Sequence, residues 1–239
     1  MKYIYGPVES RRLGLSLGIT LTPQKACSYD CIYCQLGKTT DKTRERKGYA
    51  AIGDILTELK ECLKTLSSAS RAPDYISFSG FGEPTLNIDI ARAVKEIKKL
   101  TKIPLALITN ASLFIDSRVR RDVLEMDLII PSLDAVTQDV FERIDRPVSS
   151  IKIEDVIKGL VSLMQEFKGK VYLEIMLVKG INDSLDYAEE FKKAIARINP
   201  DKIQLNLPVR STAEVGVEVP DTVRLLEIKD ILGDKCEII

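Results

Sequence analysis

With 239 residues, 45% of them hydrophobic and 29% charged, the chain is long enough to bury one large core, and a single domain over residues 1–239 is expected. Lysine plus arginine and aspartate plus glutamate each total 35, so the chain is formally neutral and lacks the global positive charge of a nucleic-acid binder; a local basic patch is the form such binding would take. No apolar run reaches the ~18 residues of a membrane span and no leader-like segment opens the chain, so the expected location is the cytoplasm, where cysteines stay reduced.

Short apolar runs rich in branched residues alternate with amphipathic stretches, the pattern of repeated βα units and a parallel sheet. The first predicted strand, 17–21, leads into Cys27-Ser-Tyr-Asp-Cys31-Ile-Tyr-Cys34. Its C-x3-C-x2-C spacing is too tight, and three is too odd a number, for disulfide pairing; three thiolates on one short loop ask for a metal. A structural zinc site needs a fourth ligand, and the chain has neither histidine nor a second C-x2-C pair. A cubane iron–sulfur cluster suits the loop better, because three thiolates leave one iron open to a small molecule. A non-enzymatic electron carrier or redox sensor would use the same cysteines.

After Gly53, the residues Ile55, Leu56, Leu59, Cys62, Leu63 and Leu66 recur at helical spacing and predict a helix with one buried stripe. Cys62 lies on that stripe and reads as core, not as a fourth ligand. Cys236 reads as a packing residue as well, with a free surface thiol as the alternative. Strand 75–79 runs into Gly80-Phe81-Gly82-Glu83-Pro84. Two glycines let backbone approach a ligand and proline fixes the turn, so carbonyls there can accept from a ligand's amino group; an ordinary βα turn is the alternative.

Strand 105–109 ends at Thr109-Asn110, strand 128–133 at Ser132-Leu133-Asp134, strand 171–178 at Lys179-Gly180-Ile181-Asn182, and strand 203–207 at Asn206 through Arg210. Asp134 is suited to accept from both hydroxyls of a ribose. Asp116-Ser117 and Asn182-Asp183-Ser184 read as helix N-cap regions, and Asn199-Pro200 as a helix stop. Six strands with helices between them predict an α/β fold, an open partial (β/α)6 barrel with parallel strands, whose site lies at the carboxyl ends where the βα loops converge. Glu174 interrupts its apolar strand, and Gln204 and Asn206 share a face of theirs, so the barrel holds either a satisfied polar network or a substrate; Asn206, nearer the tip, reads as a ligand contact.

The cysteine arrangement resembles the signature of the radical S-adenosylmethionine (SAM) superfamily, with Tyr33 where that family has an aromatic before its third cysteine. Gly80 through Pro84 resembles the family's Gly-Gly-Glu-Pro motif, with Phe81 in place of a glycine. Tyr5-Gly6-Pro7-Val8, Ser10-Arg11-Arg12-Leu13-Gly14 and the segment from Tyr29 to Gly37 resemble the branch that includes the wyosine-type tRNA-modifying synthases. Those synthases carry a second cluster on upstream cysteines, and here no cysteine precedes Cys27.

The resemblance implies an enzyme with a four-iron, four-sulfur (4Fe–4S) cluster on Cys27, Cys31 and Cys34, SAM as second cofactor, and an electron donor of the flavodoxin or ferredoxin kind. One electron from the reduced cluster cleaves SAM to methionine and a 5′-deoxyadenosyl radical, which abstracts hydrogen from the substrate. It also implies that Gly80, Gly82, Glu83 and Pro84 meet the amino group of SAM, Ser132 and Asp134 its ribose, Tyr33 its adenine, and Thr109 or Asn110 its carboxylate. No residue is assigned as catalytic. A tRNA guanosine derivative is the leading substrate, with a small metabolite or a peptide or protein as alternatives. Lys38, Lys42, Arg44, Arg46 and Lys47, among Asp41 and Glu45, read as a solvated loop or as a flap on a phosphate-bearing substrate, which Arg11, Arg12 and Arg146 would extend.

Overall fold

All six expected strands are present, within a few residues of their expected ends, in the computed structural model, which describes residues 1–68 and 71–239. In chain order the strands are β1 (Ile4–Ser10), β2 (Gly14–Ile19), β3 (Ala26–Cys27), β4 (Asp41–Lys42), β5 (Tyr75–Phe78), β6 (Leu105–Thr109), β7 (Leu128–Pro131), β8 (Lys170–Met176), β9 (Lys202–Asn206) and β10 (Cys236–Ile238). The helices are α1 (Ile52–Ser68), α2 (Ile90–Leu100), α3 (Ser117–Val123), α4 (Gln138–Ile144), α5 (Ile153–Glu166), α6 (Leu185–Ile198) and α7 (Thr222–Leu232). One sheet runs in the order β1-β2-β5-β6-β7-β8-β9-β10, parallel throughout except for the antiparallel β1–β2 hairpin. The edge strands β1 and β10 each pair on one side, so the barrel is partial and open.

Those two edge strands, like the two-residue β3 and β4, are elements the sequence pattern does not show. Pro7 argues against a strand, but an edge position tolerates a residue without an N–H, and a bulge between Tyr5 and Val8 accommodates it. β10 is too short for its alternation to be visible. Among the described residues no helix is long and apolar enough to cross a membrane.

Strand alternation gives the sheet two faces. Leu17, Phe78, Leu107, Ile129, Ile175 and Leu205 pack into one core with the apolar stripes of the helices, where each such side chain contributes roughly 1.5–3 kcal/mol. Cys62 lies in this core on α1, and Cys236 is buried on β10, which disposes of the surface-thiol alternative. Helix boundaries follow from capping. Asp116 accepts from Arg118 N at the start of α3, Ser184 accepts from Tyr187 N at the start of α6, and Asn199 ends α6 in the left-handed region.

The opposite, inner face carries a smaller apolar cluster of Leu13, Ala106, Leu128 and Ile130 beside polar Ser16, Ser77, Glu174 and Gln204. Leu13 comes from the turn between β1 and β2, so the hairpin tip folds into the barrel. Arg11 and Arg12 go with it. Arg12 Nη1 pairs with the buried carboxylate of Glu174, while Arg11 donates to Asn206 Oδ1 at 2.9 Å and to the Ile239 carbonyl at 2.8 Å. The expectation that this pair extends an outward basic surface is corrected for Arg12, which a buried carboxylate draws into the barrel, whereas Arg11 stays exposed at the barrel's edge.

Candidate functional site

Within the cysteine loop, Tyr29 and Ile32 are buried and alternate with Cys27, Cys31 and Cys34, which are half-buried and free of disulfides. The apolar residues anchor the loop from beneath, Tyr29 meeting Phe141 of α4 edge-on at 5.2 Å between ring centroids. Main-chain bonds then pin it on every side. β3 pairs with β4, Asp30 N and Ile32 N donate to the carbonyls of Asp145 and Ile144 at the end of α4, Val148 N donates to the Ser28 carbonyl, and Glu214 N donates to that of Ile32.

The Gly80–Pro84 turn docks on the same loop. Glu83 N donates to the Ala26 carbonyl at 3.0 Å, and a Cβ on Gly82 would stand 2.0 Å from that carbonyl oxygen. Gly82 is thus required by the approach of two protein backbones. Gly80 has a φ of 109° and passes so near Thr20 that a Cβ would lie 2.7 Å from the threonine Cβ. Glu83 is fully engaged inside the protein: Oε1 accepts from Thr85 N, Thr85 Oγ1 and Thr109 Oγ1 at 3.0, 2.6 and 2.6 Å, and Oε2 accepts from Asn110 N at 2.8 Å. Burial pushes its carboxyl upward and these donors oppose the shift. Glu83 therefore ties the tip of β5 to the tip of β6. Pro84 opens the short 3-10 turn that follows.

Around the thiols lies a polar shell. Asn110 Nδ2 reaches Cys27 Sγ at 3.5 Å and Ser28 Oγ at 2.9 Å, and the Cys31 thiol donates to Asp145 Oδ1 at 3.3 Å. Burial first, then neighbouring carboxylates and thiols, push Cys31 well above its ordinary range and Cys27 up to about 12. Such thiols ionise when cationic metal offsets the burial. No three His, Cys, Asp or Glu side chains among the described residues gather as ligands of one ion. A cubane spreads its thiolates over three irons and asks for wider spacing than a single tetrahedral ion, whose thiolate sulfurs stand roughly 3.8 Å apart. The donor set, three free thiols on one loop, is that of a three-thiolate cluster.

Asp134 lies beside the thiols, its Oδ1 accepting from Met176 N at 2.7 Å and its Oδ2 from the Tyr33 hydroxyl. Burial raises it to about 7. Asp145, packed against it, is pushed well above the usual carboxylate range by burial and by Asp134. Ser132 is half-buried at the tip of β7, opposite Glu174, and Asn206 is buried at the tip of β9, facing Arg11. The structure thus brings Cys27, Cys31, Cys34, Tyr33, Asn110 and Asp134 to one end of the barrel. Thr109 is committed to Glu83, which leaves Asn110 as the β6-tip residue at the thiols. Asp145 is the residue that sequence reasoning missed, and Arg12 is one it assigned to the wrong place; a carboxylate following an amphipathic helix carries no sign that it meets a cysteine 114 residues away.

A radical SAM superfamily model matches residues 21–198. A protein of Brachyspira hyodysenteriae named GTPase Obg is 40% identical over 237 residues, covering 99% of this chain and 34% of its own, so the chain spans about a third of that relative. A UPF0026 protein of Methanocaldococcus jannaschii is 35% identical over 237 residues, covering 98% of this chain and 72% of its own. The structure of TYW1 with a lysine-pyruvate adduct bound superposes with a TM-score of 0.67 at 17% identity, covering 91% of this chain and 72% of that one, which shows the shared fold. With the family model over most of the chain and a three-thiol loop at the strand tips, this protein belongs to the radical SAM superfamily of enzymes, whose cofactors are a 4Fe–4S cluster and SAM.

Proposed function

We propose that residues 1–239 act as one radical SAM core domain, working in the cytoplasm, in which Cys27, Cys31 and Cys34 ligate the cluster and the substrate is a guanosine derivative in tRNA. The observation that carries the cofactor assignment is the pinned loop itself, with three free thiols held between the Gly80–Pro84 turn, Asn110 and Asp134. Held by Cys27, Cys31 and Cys34 and reduced by a flavodoxin- or ferredoxin-type donor, a bound cluster would supply the single electron for cleavage of SAM to a hydrogen-abstracting 5′-deoxyadenosyl radical.

The chain's own residues orient and enclose. Carbonyls of the Gly80–Pro84 turn accept from the amino group of SAM, and Asn110 serves its carboxylate. Asp134 and Ser132 serve the ribose: the Asp134 carboxylate, bonded to Met176 N, the Tyr33 hydroxyl and Asp145, keeps a lone pair beyond those it uses within the protein. Tyr33, tethered to Asp134, lies at the adenine, and Asn206 lines the same end from β9. Asn110 and Asp145 tune the cluster through their contacts with cysteine sulfur.

Support for an RNA substrate is the basic rim around this mouth. Lys38 faces Glu214, Lys42 Nζ donates to the Arg146 carbonyl, Arg44 to Ser150 Oγ, and Arg210 to Gln35 Oε1. Beside it a cavity of about 510 Å³ is lined by Arg44, Arg46 and Arg118; Arg46 is paired with Asp122 and Arg118 with Asp116, so Arg44 is the one of the three without a carboxylate partner among the described residues. The resemblance to tRNA-modifying synthases points the same way.

Two measurements test this reading. SAM added to the reduced protein should change the cluster's paramagnetic resonance spectrum, and dithionite should release 5′-deoxyadenosine; an unchanged spectrum without product would favour an electron carrier. If three of the rim cations meet phosphates, raising salt from 50 to 200 mM should weaken tRNA binding roughly 20- to 40-fold. Charge reversal at Lys38, Lys42 and Arg44 should flatten that dependence with iron content intact. A tRNA affinity that is absent or insensitive to salt would remove RNA in favour of a small metabolite or a peptide.

A further inference from the structure

The cavity of about 510 Å³ beside the basic rim has walls for which phosphate has no use. Ile88, Leu113, Ile115 and Val119 line it, and Ile88 and Ile115 stay 55% and 43% exposed. Aliphatic side chains left open to water inside a ring of charge have the anatomy of a protein-binding patch, an apolar centre with a polar edge. The free charge at this edge is positive. Both carboxylates of the lining are engaged, Asp122 by Arg46 and Asp116 by Arg118, whereas Arg44 donates only to the Ser150 hydroxyl. Residues 42–47 as a whole carry four cations against one carboxylate, Glu45. The cavity also backs onto the cysteine loop. Thr43, next to Arg44, donates its N–H to the Cys27 carbonyl at 3.0 Å, and Ser112, next to Leu113, shares a hydrogen bond with Ser28 at 2.6 Å between hydroxyl oxygens. Two lining residues are therefore each one peptide away from a group bonded to Cys27 or Ser28. Val119 belongs to α3 and Ile88 precedes α2, so the cavity opens among the helices, outside the barrel.

We propose that this cavity is where the electron donor docks: a small acidic carrier protein seats an apolar side chain between Ile88 and Ile115, turns its carboxylates to Arg44 and Lys42, and passes one electron to a cluster held on Cys27, Cys31 and Cys34. The carrier's flavin or iron–sulfur centre is oxidised by one equivalent and the cluster is reduced by one; no bond forms or breaks. A carrier seated outside the barrel leaves the mouth free, so cofactor and substrate keep their places while the electron arrives. Charge complementarity chooses an acidic partner, the aliphatic walls choose protein over nucleic acid, and the short path to Cys27 gives the contact its purpose. The inference rests on the cofactor reading above and deepens it by giving the donor a surface.

The probes are an acidic flavodoxin and an acidic ferredoxin, each reduced beforehand and mixed with the cluster-loaded protein while the absorbance of the cluster reports its reduction. Dithionite, small enough to need no docking surface, is the control. At least one carrier should reduce the cluster, more slowly as salt is raised. The double variant Ile88→Glu with Ile115→Glu should slow that reduction at least about 10-fold. Ile88→Lys with Ile115→Lys gives up the same apolar area but keeps the sign of the charge, and should lose markedly less. Both side chains are exposed, so iron content and the rate with dithionite should stay at native values in both variants. Reduction by neither carrier, a native carrier rate in the glutamate variant, or an equal slowing with dithionite overturns the inference. Loss of tRNA affinity in the glutamate variant with carrier reduction intact would overturn it too and give the cavity to RNA. A native protein that is reduced through this cavity but binds no tRNA would uphold the docking site and remove RNA, whereas a cluster that dithionite cannot reduce would sink the cofactor reading and the docking site together.

Discussion

Replacing Cys27, Cys31 or Cys34 with alanine is expected to take the iron content of the anaerobically reconstituted protein from about four atoms per chain to near zero. The three thiols come from one pinned loop, and no other cysteine is in reach to compensate: Cys62 is in the helix-side core on α1 and Cys236 on the far edge strand. Cys62→Ala and Cys236→Ala should keep full iron, with stability changes of the size expected for trimming a small buried group. Iron and sulfide analysis beside the visible absorption of the cluster decides it. Retention of a complete cluster by any of the three loop variants, or its loss in Cys62→Ala, would sink the assignment of three ligands and an open iron.

The next largest effect is expected at the joint between the Gly80–Pro84 turn and the cysteine loop. Glu83→Ala strands buried donors on Thr85, Thr109 and Asn110. At about 1–3 kcal/mol for each group that finds no substitute, a net loss of about 3 kcal/mol is expected. For a chain of this size that is roughly 6–12 °C in melting temperature. Gly82→Ala attacks the same joint from the other side, because its Cβ would meet the Ala26 carbonyl at 2.0 Å and displace the residue before Cys27. Both variants should also load less iron, since each moves the frame that holds the thiols. A melting temperature and iron content equal to the native values in Glu83→Ala would show that the turn does not brace the loop.

The glycines of that turn illustrate how a motif can be legible while its physical reason is not. Two glycines before Glu83 and Pro84 announce close backbone approach. What approaches Gly82 is the protein's own Ala26 carbonyl, and what approaches Gly80 is Thr20. Glu83 reads as part of a cofactor motif, yet each of its oxygens is hydrogen-bonded within the chain. The motif shapes the cofactor site through the loop it supports.

Properties carried by neighbours in sequence were determined by the sequence alone. These are the alternation of strands and helices, the helix caps at Asp116 and Ser184, the three-thiol loop, the polar residues at the strand tips and the buried stripe that claims Cys62. Each depends on periodicity or on spacing within a few residues, and local sterics and hydrogen bonding enforce both. Tertiary structure alone decided which distant side chains meet. Asp145 lies against Cys31 because the end of α4 pairs with the cysteine loop, and Asn110 faces Cys27 because β6 is two strands from β2. Arg12 shows the reason most plainly. Two arginines in a turn look the same in sequence whether they face water or carboxylate, and it is the direction of the β1–β2 hairpin, set by how Leu13 packs inside the barrel, that carries Arg12 to a glutamate 162 residues away.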